Sequence, residues 1–381
     1  MHECGIYYVI FNRKVLSKIV SIATGVPTHK HQQDEIFSFA ENIYCKDEVQ
    51  SRKMKFLYRH SGIETRYSVM PDYSAAADKR KFYEKNECLE PFPNLEVRMA
   101  WYAEHAVDLS VKTIEDCIHG KIEPLAISHL ITVSCTGLGA PGLDLEIMEA
   151  MKLPSDIFRT SVNFMGCYAA IHALKIADAI CNADINANVV IVCTELCTLH
   201  FQKASSIDNI TSTLLFGDGC AAMLVQNAGT PNNGFSLKQF YSEVAFRGKK
   251  DMSWQLSSKG FLMTLSGYVP DLLKEDFNLL LERALQKASL AKTDISHWCV
   301  HPGGVKILEA IEKSAGLGKT DLQYSYEILR DYGNMSSPTV LFVLKKIMDE
   351  LESDPGHQPA TVFSVAFGPG LTMETFVATY D

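Results

Sequence analysis

A chain of 381 residues with 47% hydrophobic and 21% charged side chains has the composition of an ordinary soluble enzyme and is long enough for one large α/β unit or two domains. A formal charge of −9 argues against a nucleic-acid binder, while leaving room for a local basic patch that takes an anionic substrate. Eleven cysteines without a C-x-x-C pair exclude a readable zinc site and disfavour a disulfide framework, so a reduced, cytoplasmic setting is expected.

Residues 1–17 are read as an N-terminal extension, because the apolar run Ile6–Phe11 is too short to span a membrane and no cleavage site follows it. Lys18–Ala23 predicts a buried strand, and Gln32–Tyr44 a helix with Ile36, Phe37, Phe39 and Ile43 on one face. Arg52–Arg66 is the most basic stretch, with Arg52, Lys53, Lys55, Arg59 and Arg66. It is either a solvated helix face or a docking site for phosphates. Tyr73–Pro93 reads as a charged loop and Leu95–Ile118 as a long helix. The strand Ala126–Ser134 runs into Cys135–Gly142, a loop poor in side chains that is an ordinary turn or a surface with room for a ligand.

Thr160–Ala179 carries the candidate chemistry. Gly166 permits a sharp turn after Val162–Phe164, and a helix opens with Cys167 at its first position. Ala169, Ala170, Ala173, Leu174 and Ala177 recur at helical spacing, so this helix is expected to be buried. Its amino end presents unpaired N–H groups and a partial positive charge, which favour a thiolate. Cys167 is therefore a candidate nucleophile; the alternative is a core cysteine.

Asn188–Cys193 predicts a strand, and Thr194–His200 carries Cys197 and His200, the latter read as structural, as is His172. Leu214–Val225 predicts a strand interrupted at Gly217-Asp218-Gly219, with Phe216 at its edge. Turn formers in Asn227–Gly234 suggest a boundary between halves 18–232 and 233–381. Asp271–Leu290 reads as an amphipathic helix, and Trp298–Val300 as a strand that delivers His301-Pro302-Gly303-Gly304. A buried helix over Ser336–Leu351 follows Gly333-Asn334, and Ala360–Tyr380 reads as a hairpin around Gly368–Gly370. Strands and helices alternate throughout, the pattern of an α/β fold.

Cys167, His301 and Asn334 each sit beside glycine at a junction, where a side chain can enter a cleft. A thiol, an imidazole and an amide suit thioester chemistry: a His⁺/thiolate pair keeps sulfur nucleophilic, and His and Asn donate hydrogen bonds to an enolate oxygen. A carboxylate base is unnecessary if the carbanion arises by loss of CO₂, and none is apparent. Thiol proteases also run Cys, His, Asn along the chain, but the C-G-S-C-W setting is missing here.

The blocks VNFMGCYAAIHALKIAD, LFGDGCAA, WCVHPGGVKILE, YGNMSSPTVLFVL and FGPGLTMET together resemble the chalcone synthase-like type III polyketide synthases, in family order. The resemblance implies a thiolase-like fold of two similar α/β halves in five αβαβα layers, working as a homodimer. It implies an acyltransferase in which Cys167 holds the starter and growing chain. His301 and Asn334 would bind the thioester carbonyl during malonyl-CoA decarboxylation and condensation. Phe216 matches an aromatic gatekeeper, a wall that desolvates the malonyl carboxylate and favours its departure. Lys53, Lys55 and Arg59 fall where the family grips CoA phosphates, with Lys306 near the tunnel mouth. No cofactor or metal is implied beyond the acyl-CoA and malonyl-CoA substrates.

Departures from the family pattern bear on the starter. Met263 stands at the second gatekeeper, usually Phe, and is a more adaptable wall. Thr136 and Ser336 are further pocket positions, while Cys135 and Cys197 replace frequent threonines. Ala140 takes the place of a Met that reaches into the partner's cavity, which would open a channel for an alkyl chain. These changes resemble bacterial alkylpyrone and alkylresorcinol makers, so a fatty acyl-CoA starter is expected. The alternatives are a malonyl-CoA-primed polyhydroxy-aromatic synthase and a ketoacyl-carrier-protein synthase of the initiating type, from whose usual H-Q-A-N setting His301-Pro302-Gly303-Gly304 departs.

Overall fold

The computed structural model describes residues 17–353 and 359–381. Apart from Ser17, the expected N-terminal extension with its apolar run lies outside the described residues. In chain order, the first half comprises β1 (Ser17–Gly25), β2 (His29–Gln32), α1 (Gln33–Tyr44), α2 (Glu48–Arg59), β3 (Thr65–Ser68), α3 (Leu95–Ile118), β4 (His129–Ser134), α4 (Leu143–Met151), β5 (Phe158–Asn163), α5 (Ala169–Ala183), β6 (Val189–Leu196), α6 (Ile207–Leu215) and β7 (Asp218–Asn227). The second comprises β8 (Phe235–Val244), β9 (Met252–Ser257), β10 (Gly260–Leu265), α7 (Val269–Ala288), β11 (His297–Val300), α8 (Val305–Ala315), α9 (Gln323–Tyr332), α10 (Thr339–Ser353), β12 (Ala360–Gly368) and β13 (Thr372–Tyr380).

Strands such as β6 and β7, buried along their whole length, need cover on both faces, and the helices supply it. Hydrogen bonds run through nine strands in the order β11-β12-β13-β8-β1-β7-β6-β4-β5. Within the sheet the two stretches meet where β1 and β8 pair at Lys18↔Ser236 and Ile19↔Phe235. Alternate side chains then sort into layers. Val20, Leu130, Val190 and Leu224 face α3 and α4, whose Ile114 and Ile147 share their core. Ile19, Ile131, Ile191 and Met223 face the other way onto Ala173 of α5 and Leu344 of α10, and Cys299 and Val362 approach the same helices from the second half. Trp298, Val300 and Phe363 then meet Phe277 of α7 and Leu308 of α8. The result is five layers, αβαβα.

Two local expectations change. Leu214 and Leu215 end α6 instead of starting a strand, because the Ser206 hydroxyl caps the Asn209 N–H and starts a helix that points both leucines inward. Cys167 lies in a one-turn 3-10 segment, Gly166–Tyr168, and α5 begins two residues later at Ala169.

Candidate active site

β4, β5 and β6 are parallel, so their carboxyl ends share one edge and deliver Cys135-Thr136, Gly166-Cys167 and Cys197 there. From the second half, parallel β11 and β12 end at His301 and Gly368. Gly166 (φ +79°) is required at the turn before the thiol: a Cβ there would sit 2.2 Å from Pro369 Cδ. Asn334 is held by backbone bonds on both sides of Phe216, its N–H donating to Leu215 O at 2.9 Å and its carbonyl accepting from Gly217 N–H at 3.0 Å. Beneath this bridge lies buried Arg66, whose Nη1 donates to Thr213 O and Phe216 O, each at 2.6 Å. The gatekeeper position and the amide are thereby parts of one braced turn.

A cavity of about 390 Å³ brings the expected residues together. Cys167, His301 and Asn334 line it, and so do Phe216, Met263, Cys135, Thr136, Cys197, Ser336 and Lys306. Cys167 Sγ lies 3.7 Å from Ser336 Oγ and 4.0 Å from Asn334 Oδ1. The Asn334 oxygen accepts from Ser336 N–H at 2.8 Å, which leaves Nδ2 as the group to offer, with only a long 3.4 Å contact to Gly303 O. Both ring nitrogens of buried His301 lack a partner among the described residues. Two donors thus converge on a space beside a sulfur.

Burial governs the charges. It pushes the Cys167 thiol up to about 12, against its side-chain contacts with Ser336 and Asn334, which pull it down, and holds His301 down to about 3. The sulfur sits in a turn ahead of α5, and burial opposes the resting thiolate expected of a helix end, favouring a neutral thiol beside a neutral imidazole.

A residue without any part in the sequence reading underlies the floor. Glu195, fully buried, accepts from Cys135 N–H at 2.9 Å, Thr136 Oγ1 at 2.7 Å and Ser337 Oγ at 2.8 Å. Desolvation pushes its carboxyl up to about 7, against the pull of those donors. Its signal was an acid within the apolar strand β6, at the same two-residue spacing as Cys193 and Cys197. The roof is the β9–β10 hairpin, tied down by Trp254 Nε1 donating to Cys135 O at 2.6 Å. His200 stacks on Phe261 at 4.3 Å, accepts from its N–H and contacts Thr136 O at 2.7 Å, which is a structural role.

Some expected residues fall outside the cavity. Ala140 is exposed on the loop before α4 and does not line the pocket of its own chain. Lys53, Lys55 and Arg59 are exposed on α2, whereas Phe56, Leu57, His60 and Ser61 are the lining residues from that region. At helical spacing Lys53 shares the face of Phe56 and Leu57, whereas Lys55 turns to the other side, its Nζ over the Phe37 ring at 5.8 Å. Among the described residues, no cluster of His, Cys, Asp or Glu is arranged to hold a metal ion, and no helix is long and apolar enough to cross a membrane.

The profile of chalcone and stilbene synthases, N-terminal domain, matches residues 11–229, and that of the C-terminal domain matches residues 237–379. The chain belongs to the chalcone and stilbene synthase family. It is thus a type III polyketide synthase, a condensing enzyme of the acyltransferase kind. The family's members use acyl-CoA and malonyl-CoA. Among similar proteins, "alpha-pyrone synthesis polyketide synthase-like Pks18" of Mycobacterium tuberculosis is 29% identical, covering 93% of this chain and 89% of the relative. The "3,5-dihydroxyphenylacetyl-CoA synthase" of Amycolatopsis balhimycina is 25% identical, covering 94% and 92%. The solved structure of PKS-I from the brown alga Ectocarpus siliculosus superposes with a TM-score of 0.89 at 27% identity, over 96% of this chain and 99% of that one. The fold is thiolase-like.

Proposed function

We propose that this synthase extends a fatty acyl-CoA starter with malonyl-CoA and closes the product to a pyrone, resorcinol or related phenolic. The observation that carries the catalytic part is the convergence of Asn334 Nδ2 and the unpartnered His301 ring on the space beside Cys167. Cys167 gives its proton to His301, and the sulfur attacks the starter thioester and expels CoA as thiolate, which takes that proton. Malonyl-CoA then loses CO₂, and the enolate oxygen accepts hydrogen bonds from Asn334 Nδ2 and His301 N–H. The enolate carbon attacks the Cys167 thioester, releasing the sulfur and leaving a β-ketoacyl-CoA two carbons longer. Phe216 serves as an apolar wall that keeps water from the malonyl carboxylate.

The alkyl starter is supported by a lining that includes Met263, Cys135 and Cys197, and by the likeness to the mycobacterial protein whose name includes alpha-pyrone synthesis. Lys53, Lys55, Arg59 and Lys306 are assigned to the CoA phosphates, the first three as a rim outside the opening. The reaction calls for no cofactor beyond its thioesters. Homodimerisation is read from the exposed edge strand β5, with Phe158 uncovered on it and Leu138 and Ala140 on the nearby loop. A cytoplasmic, reducing location agrees with free thiols at all ten described cysteines.

A second reading, priming by malonyl-CoA itself, has support in the similarity to the dihydroxyphenylacetyl-CoA synthase. A starter screen with product masses separates them. Turnover of medium- and long-chain acyl-CoAs with malonyl-CoA is expected. Inactivity with all of these, alongside turnover of malonyl-CoA alone, overturns the alkyl reading.

A further inference from the structure

Helix α2 buries Met54 and Tyr58, yet it also carries a second apolar stripe that nothing among the described residues covers. Val49 is 52% exposed and Phe56 60% exposed, and with Leu57 they share one face at helical spacing. Phe56 and Leu57 line the cavity opening. Two other segments bring apolar side chains to the same opening. Ile207, 66% exposed, also lines it, and Tyr268, 71% exposed, stands between the lining residues Gly267 and Val269. The same helix exposes Arg52, Lys53, Lys55 and Arg59, and Lys306 of α8 is exposed and lines the cavity. Among the described residues none of these five cations is in an ion pair. An otherwise acidic protein, at −9 overall, thus gathers unpaired positive charge around an apolar ring at one opening.

We propose that this ring is a docking surface for an anionic lipid membrane, seating the cavity opening against the bilayer. An exposed apolar helix stripe flanked by Lys and Arg is the pattern of a helix that lies in a membrane interface. Arg52 at all times, and the cations assigned to the CoA phosphates while no CoA is bound, complement acidic headgroups, and the apolar tips enter the headgroup boundary. An acidic protein partner fits less well, because the apolar side chains project from three segments around a hole and form no groove for a partner helix. The inference rests on the acyl-thioester reading of the site and names where such a substrate is collected. A long-chain acyl thioester partitions into membranes, and here its tail would pass from lipid to cavity without crossing water.

The test uses the whole chain and sedimentation with vesicles of phosphatidylcholine, alone or mixed with phosphatidylglycerol. At least about tenfold more protein is expected on the anionic vesicles, falling as salt rises. Val49→Asp combined with Tyr268→Asp, and separately Arg52→Gln, should weaken that binding while leaving Cys167 acylation by soluble hexanoyl-CoA unchanged. Equal or absent binding to both vesicle types, or undiminished binding by all these variants, overturns the proposal. So does a wild-type protein that ignores vesicles but binds an acidic acyl carrier protein through the same residues. Vesicle binding by a protein whose Cys167 is never acylated would sink the enzymatic reading and leave this one standing.

Discussion

At the floor of the cavity, Cys135, Thr136, Glu195 and Ser337 are buried and joined by hydrogen bonds of 2.7–2.9 Å, whereas Phe56, Leu57 and Ile207 at its mouth face water. The floor fixes reacting atoms by leaving its polar groups few alternatives, and its charges are set by desolvation. The mouth fixes little and selects by apolar contact. Changes at the floor should therefore act on the rate of chemistry, and changes at the mouth on which starter arrives.

The sharpest break is Cys167→Ser. A hydroxyl is a far weaker nucleophile than a thiol and holds its proton more tightly, so chain elongation should fall by at least ~10³-fold. Decarboxylation of malonyl-CoA, which uses Asn334 and His301 and no sulfur, should persist. Radiolabelled malonyl-CoA reports both, and undiminished elongation would remove Cys167 from its assigned role.

Glu195→Gln probes the floor without touching the nucleophile. The amide oxygen can keep the Cys135 and Thr136 donors, and its NH₂ can donate to the Ser337 hydroxyl, which reverses to accept. The folded carboxyl titrates near 7 against an ordinary 4.5, so the folded state holds a proton that the unfolded chain loses between those values. The stability this contributes is complete below 4.5 and lost as pH rises through about 7, a cost of roughly 3 kcal/mol at higher pH. His200 and His301, held down to about 3, act in the opposite sense and are common to both proteins. The stability advantage of the Gln variant should therefore grow between about pH 5 and pH 8, read as a difference in denaturation midpoint. A difference that does not change with pH would show that Glu195 is not a buried titrating acid.

This same floor marks the limit of what the sequence reveals. Cys167, His301 and Asn334 were legible because each follows or precedes glycine at a turn, and the long helix Leu95–Ile118 because its period is uninterrupted. Glu195 was hidden because a strand buried on both faces has no polar side against which an acid stands out. Leu214 and Leu215 read as strand because an apolar pair has no period, and only the cap at Ser206 reveals α6. The α2 cations drew the eye from Phe56 and Leu57, since exposure of an apolar residue depends on what the rest of the chain leaves uncovered. Ala140 was placed by resemblance at a position that reaches into a partner's cavity, and in the single chain it lies exposed on the loop before α4.

The smallest effect is expected between floor and mouth, at Met263. It is half-buried on β10, pairs with Trp254 across the hairpin, and lines the cavity. A thioether with several rotatable bonds can move aside for a passing alkyl chain, whereas a phenyl ring is stiff and wider. Met263→Phe should lower kcat/KM for long acyl-CoAs by about three- to tenfold, mainly through KM, because a single apolar wall discriminates by only ~1–3 kcal/mol. Acetyl-CoA, which needs no such passage, should be used as before, and the floor groups should titrate unchanged. Equal losses for short and long starters would mean that Met263 acts on the reacting centre, and the division between a catalytic floor and a selecting mouth would have to move inward past β10.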